Sequence, residues 1–154
     1  MKRTIKTEEI LAVWQVLSKA KYAKMDSSDR IKVWKISRVI EPIAKGYDAE
    51  VKSAQECMKP EGFDEKALKW NEMRDKVVSG VKDDLPMTNA EFAEFTYRVL
   101  NPYNKDVNDA LEELRNKDVD VEFEPITESA FEKLMDSNDW TMEQVTVVGD
   151  FIVG

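Results

Sequence analysis

A mainly α fold with a minor β component is what this chain predicts, and three observations carry that prediction. Apolar residues recur at helical spacing through most of its 154 residues. Only five glycines interrupt it. One late segment, residues 118–126, switches to alternation of apolar and acidic side chains. The order of these patterns predicts a long antiparallel helical hairpin over 1–58 and a smaller acidic helical or α+β body over 59–154, with one or two short C-terminal strands, all in a single domain.

The first helix is expected from Thr7, a suitable N-cap, to Met25, with Glu8 and Glu9 at the positive end of its dipole. Ile10, Val13, Leu17 and Ala20 form its apolar face. Met25-Asp26-Ser27-Ser28 reads as a tight connection. A second helix from Asp29 to Met58 carries the seam Val33, Ile36, Ile40, Ile43, Tyr47, Val51 and Ala54, close to coiled-coil spacing. Pro42 removes one backbone donor, which predicts a kink near 38–42. The two seams joined by a short turn predict the hairpin.

Lys59-Pro60-Glu61-Gly62-Phe63 breaks the second helix. A third is expected over 64–81, burying Leu68, Trp70, Met73, Val77 and Val81. Thr88 and Glu91 form a capping-box pair that opens a helix with Phe92, Phe95 and Val99 on one side. Asn101-Pro102 predicts a stop and an immediate restart, followed by the stripe Val107, Leu111, Leu114. Val119, Val121 and Phe123 alternate with Asp118, Asp120, Glu122 and Glu124, as in a half-exposed strand. Thr127 begins a short helix carrying Phe131 and Leu134. For 141–152 the Thr141/Gln144 pair favours a helix, while the β-branched run Val145–Val148 keeps a strand pairing with 119–125 as the competitor.

Composition removes whole classes of chemistry. Histidine is absent, so His-based acid–base catalysis, catalytic triads and zinc sites built on His have no residues to use. Cys57 is the only cysteine, which forbids an internal disulfide and suits a reducing compartment. Glu8 and Glu9 interrupt what would be a signal-peptide core, and no apolar run approaches membrane-spanning length. No export, no membrane, no cofactor and no catalytic residue is expected. Charge is unevenly spread: residues 1–58 hold twelve Lys/Arg against eight Asp/Glu, and residues 59–154 hold eleven against twenty-three, within a total of −8.

Several constellations invite a functional reading. Asp118, Asp120, Glu122 and Glu124 share one strand face, a candidate partner-binding surface. Same-face neighbours lie nearly ~7 Å apart, too far to share one cation, so edge protection is the simpler role. Asp136-Ser137-Asn138-Asp139-Trp140 begins like a calcium loop but lacks the central Gly and the closing Glu. It reads as a polar turn leading to a buried Trp140. Arg38, Lys45 and Lys52 line one helix stripe, with Glu41 and Asp48 placed to neutralise it. Lys19, Lys21, Lys24, Arg30, Lys32 and Lys35 gather about the hairpin turn, where nucleic-acid contact is weaker than the reading of a solvated tip. Cys57 reads as a small buried hydrophobe. Trp14, Trp34 and Trp70 fall within helical apolar stripes and read as core. Trp34 lies off the seam and is the candidate exposed aromatic for a protein partner.

The segment Leu-Arg-Asn-Lys-Asp-Val-Asp-Val-Glu-Phe-Glu-Pro-Ile at 114–126, the short helix after it and Trp-Thr-Met-Glu-Gln-Val at 140–145 close the chain behind an N-terminal helical pair. This order resembles small proteins of unknown function from tailed bacteriophages and prophages. The resemblance implies a protein of the bacterial host cytoplasm or of the virion, and brings no assigned catalytic residues. The leading expectation is a non-enzymatic phage protein acting through protein contacts or self-association. The alternative is an acidic inhibitor that imitates nucleic acid before a host enzyme, with carboxylates in a contiguous two-row surface.

Overall fold

The computed structural model describes the whole chain, Met1 to Gly154. It is mainly helical, with one small antiparallel sheet. The elements are β1 (Lys2–Lys6), α1 (Thr7–Leu17), α2 (Ser27–Met58), α3 (Phe63–Val78), α4 (Asn89–Phe95), a π-helical segment (Thr96–Leu100), α5 (Asn101–Arg115), β2 (Asp118–Glu122), α6 (Glu128–Asp136) and α7 (Met142–Ile152). No helix is long and apolar enough to cross a membrane. The packing forms two compact units, Met1–Glu50 with Glu113–Gly154, and Val51–Glu112. These boundaries differ from the 58/59 division read from charge.

In the first unit, β1 pairs antiparallel with β2, setting Lys2 opposite Glu122, Thr4 opposite Asp120 and Lys6 opposite Asp118. β2 follows from its alternation: Val121 and Phe123 are buried, while Asp118, Asp120, Glu122 and Glu124 are exposed. β1 was not expected. Its five residues include one large aliphatic, Ile5, and its partner strand is remote in sequence, so the local pattern is too sparse to mark a strand. Of the expected short C-terminal strands, β2 forms, and its partner comes from the N-terminus.

α1 ends at Leu17 instead of reaching Met25. Beyond it the backbone finds other partners: the Lys21 amide donates to Asn138 Oδ1 at 2.8 Å, and Asn138 Nδ2 donates to the Lys21 carbonyl at 2.8 Å. Thr7, expected as the cap, is the first residue of α1, and its hydroxyl donates to the Lys117 carbonyl. α2 is helical through Pro42, on its exposed side. Its buried seam runs Val33, Ile36, Ile40, Ala44, with Ile43 half-buried, a slightly different phase from that expected.

One core joins α1 (Ile10, Val13, Leu17) and α2 (Val33, Ile36, Ile40) to the buried residues of β2, α6 and α7. The N-terminal helices are therefore not a hairpin standing apart from an acidic body, because apolar faces from both ends of the chain need each other to leave water. α1 packs against α7. The tail is a helix: Thr141 caps it with a complete capping box to Gln144, and burial of Val148, Phe151 and Ile152 settles the competition with a strand. α6 starts at its Thr127 cap, as expected.

In the second unit, Phe63, Met73, Phe95, Val107 and Leu111 are buried. The inward face of α3 is Phe63, Ala67, Trp70, Met73, so Phe63 sets its phase. The expected burial of Leu68, Val77 and Val81 does not occur; all three are exposed, and the helix ends at Val78. The Thr88–Glu91 capping box forms. The expected stop at Asn101-Pro102 is replaced by a π turn: the Asn101 amide donates to the Thr96 carbonyl, five residues back. The wider turn carries the helix past Pro102, which has no N–H to contribute. Trp70 stacks on Phe92 at 5.5 Å and donates its indole N–H to Thr96 Oγ1 at 2.7 Å.

Candidate functional site

Three places on the first unit gather the side chains singled out above. The first is the outer face of α2. Its core face, fixed by Val33, Ile36 and Ile40, leaves Ile31 and Trp34 pointing away, and Trp34 is 59% exposed. The Arg38 guanidinium lies 5.5 Å from the centre of the Trp34 ring, one turn along the helix. This contact restrains both side chains. Glu41 is taken by Lys45, whose Nζ lies 2.6 Å from Glu41 Oε1. That hydrogen bond and the charge of Lys45 hold the Glu41 carboxyl below its ordinary pKa, with a smaller contribution from Arg38. The expected neutralisation of the stripe at Glu41 thus forms with Lys45, while Arg38 turns to the tryptophan.

The second is the acidic strand face. Sheet register interleaves it with β1: Lys2 and Lys6 stand opposite Glu122 and Asp118, and Thr4 Oγ1 donates to Asp120 Oδ1 at 2.7 Å. Glu124 lies 3.4 Å from Lys32 Nζ. The four carboxylates remain exposed, but they face a second row of lysines and a threonine in place of a second row of acids. Charge alternation of this kind stabilises cross-strand pairs and dilutes a uniformly negative potential. The basic cluster expected at the hairpin turn is dispersed in the same way. Arg30 donates to the carbonyls of Met25 at 3.0 Å and Ala23 at 3.3 Å, and Lys32 turns to Glu124.

The third is an open cleft of about 890 Å³ between α1, with the connection after it, and the α6–α7 corner. Lys19 and Lys21 lie on one side, and Asp136, Asp139 and Glu143 on the other. The segment that begins like a calcium loop forms its floor. Two of its side chains are committed to the connection: Asn138 grips both backbone groups of Lys21 and also donates to the Leu134 carbonyl at 2.8 Å, while Ser137 Oγ accepts from the Lys24 amide at 2.9 Å. Lys133 Nζ adds a link to Asp26 Oδ2 at 3.1 Å. The corner is a clasp for the 18–26 connection. Trp140 is half-buried, 6.5 Å from Phe131.

Arg3 and Asn138 are the residues that sequence reasoning missed. Arg3 Nη1 donates to the carbonyls of Asp150 at 2.9 Å and Phe151 at 2.7 Å, and the guanidinium lies 5.6 Å from the Phe151 ring. It supplies from β1 the positive charge that the last turn of α7 lacks. No local spacing signals either role. Cys57, expected to be buried, is exposed near the end of α2. Burial raises the Tyr22 hydroxyl above its ordinary pKa. Comparison with protein-family models, with curated proteins and with solved structures finds no match for this chain.

Proposed function

We propose that this chain is a non-enzymatic protein of a tailed phage or prophage that works by protein–protein contact, as an assembly aid or minor component. The exposure of Trp34 carries the contact reading. A large aromatic restrained by a neighbouring arginine, on the outer face of a helix already anchored in a core, is the kind of side chain that concentrates binding energy. The phage assignment rests on the resemblance of the 114–126 and 140–145 segments. The interleaving of Lys2 and Lys6 with the acidic strand row is the reason to place the contact at α2 in preference to a carboxylate surface that imitates nucleic acid.

The test compares wild type with Trp34→Ala by light scattering and by co-purification from a phage-infected lysate, with retained proteins identified by mass spectrometry. Self-association, or retention of a phage protein, is expected in wild type and lost in the variant. A wild-type protein that stays monomeric and retains no phage protein refutes the reading.

A further inference from the structure

We propose that the Ile31–Trp34–Arg38 face of α2 docks an acidic amphipathic segment of a partner protein. This rests on the contact reading above and gives the contact a chemistry. Ile31 and Trp34 are both more than half exposed and lie three residues apart, on one side of the helix. From Arg30 to Ile40 the chain holds no Asp or Glu. Of the four cations in that stretch, Arg30 is held by the Met25 and Ala23 carbonyls and Lys32 by Glu124. Lys35 and Arg38 are exposed and have no carboxylate within ion-pair distance. Glu41, the next acid along the helix, is engaged by Lys45.

An apolar pair framed by two cations without ion-pair partners, on a stretch of helix free of acids, is complementary to a segment that carries apolar anchors flanked by carboxylates. Leu, Ile or Phe at helical spacing would cover Ile31 and Trp34, and Asp or Glu beside them would meet Lys35 and Arg38. Arg38 serves both halves of the contact, lying against the indole ring while offering its remaining donors outward. A polynucleotide fits less well. Two cations without carboxylate partners make few phosphate contacts, and a phosphate backbone brings no apolar anchors to cover Ile31 and Trp34.

The test uses the full chain and two fluorescent helical peptides. One has Leu at i, i+3, i+4 and i+7 with Glu on the flanks, and its twin has Lys for every Glu. Anisotropy titrations run at about 50 mM and about 300 mM salt, with circular dichroism to confirm that each variant is folded. The Glu peptide is expected to bind wild type at least about tenfold more tightly than its twin, to weaken with salt, and to weaken about tenfold in Trp34→Ala and in Lys35→Glu/Arg38→Glu. Equal binding of the twins overturns the proposal, as does an affinity unchanged by either variant or no binding of the Glu peptide. Tighter Trp34-dependent binding of oligo(dT) would make the occupant a nucleic acid, and Trp34-dependent self-association in light scattering would make it a second copy; either overturns it too. If Trp34→Ala abolishes retention of a phage protein while the Glu peptide does not bind, the contact reading stands and the acidic occupant falls.

Discussion

Replacing Arg3 by Ala should loosen the end of α7. Arg3 is the only charged group on the Asp150 and Phe151 carbonyls, two of the acceptors that a helix C-terminus leaves without intrahelical donors. Each hydrogen bond to a charged group is worth about 1.5–3 kcal/mol where water is excluded. Here one of the two bonds is exposed and both come from a single nitrogen, so they do not add in full. The helix-dipole attraction, about 0.3–1 kcal/mol, overlaps with them. Contact with the Phe151 ring contributes at the exposed end of the cation–π range, about 0.5–1 kcal/mol. The expected loss is about 2 kcal/mol, or about 4–8 °C in Tm for a chain of this size. Urea unfolding followed by circular dichroism measures the loss, and amide exchange over the last turn of α7 localises it. Arg3→Lys should recover part of the loss, because an ammonium satisfies the dipole but does not stack on the Phe151 ring as a planar guanidinium does. A change below about 0.5 kcal/mol in Arg3→Ala, or one without faster exchange in α7, would refute the reasoning.

Asn138→Ala should cost about 1–2 kcal/mol and abolish amide-exchange protection at Lys21, because both backbone groups of that residue lose their partner; protection that persists would show that the clasp is not what holds the 18–26 connection. Lys45→Ala should raise the Glu41 pKa towards the ordinary carboxylate value in an NMR titration. Because folding lowers that pKa, the contribution of the pair is present at neutral pH and is lost as pH falls through the lowered value, and the variant should lose that part of the acid dependence. Gly149→Ala should fail to show the stabilisation of about 1 kcal/mol that helix propensity alone would give, since the new Cβ would sit 3.0 Å from Phe131 Cε1; thermal unfolding of Gly149→Ala with and without Phe131→Leu tests whether that ring is the obstacle.

Where the determinants were local, the chain could be read. The caps at Thr88, Thr127 and Thr141 are four-residue patterns, and each opens its helix. Trp34 reads as core from its helical stripe and as an exposed candidate from its place off the Val33–Ile36–Ile40 seam, and the seam prevails because helix geometry decides which side a residue faces. Where two weak local signals compete, packing decides. α3 offers apolar residues on more than one side, and the ring of Phe63, placed by the left-handed Gly62 before it and lying 4.4 Å from Tyr103, selects the face that excludes Leu68. At Asn101-Pro102 the local stop signal loses to a π turn. β1 and Arg3 act only through partners at the far end of the chain, and a pairing of that kind leaves no periodicity behind.

Composition and spacing by themselves determined the helical class, the absence of histidine chemistry and the alternation of β2. The distribution of charge was decided by the tertiary structure. Along the chain a basic front half precedes an acidic remainder, but β1, α1 and the first part of α2 share a core with β2, α6 and α7. The unit of Met1–Glu50 with Glu113–Gly154 holds fourteen Lys/Arg against eighteen Asp/Glu, and Val51–Glu112 holds nine against thirteen, so each carries −4. Burying apolar faces from both ends in one core brings the lysines of β1 opposite the acids of β2, and opposite charges placed side by side lower the energy that like charges along the chain would raise.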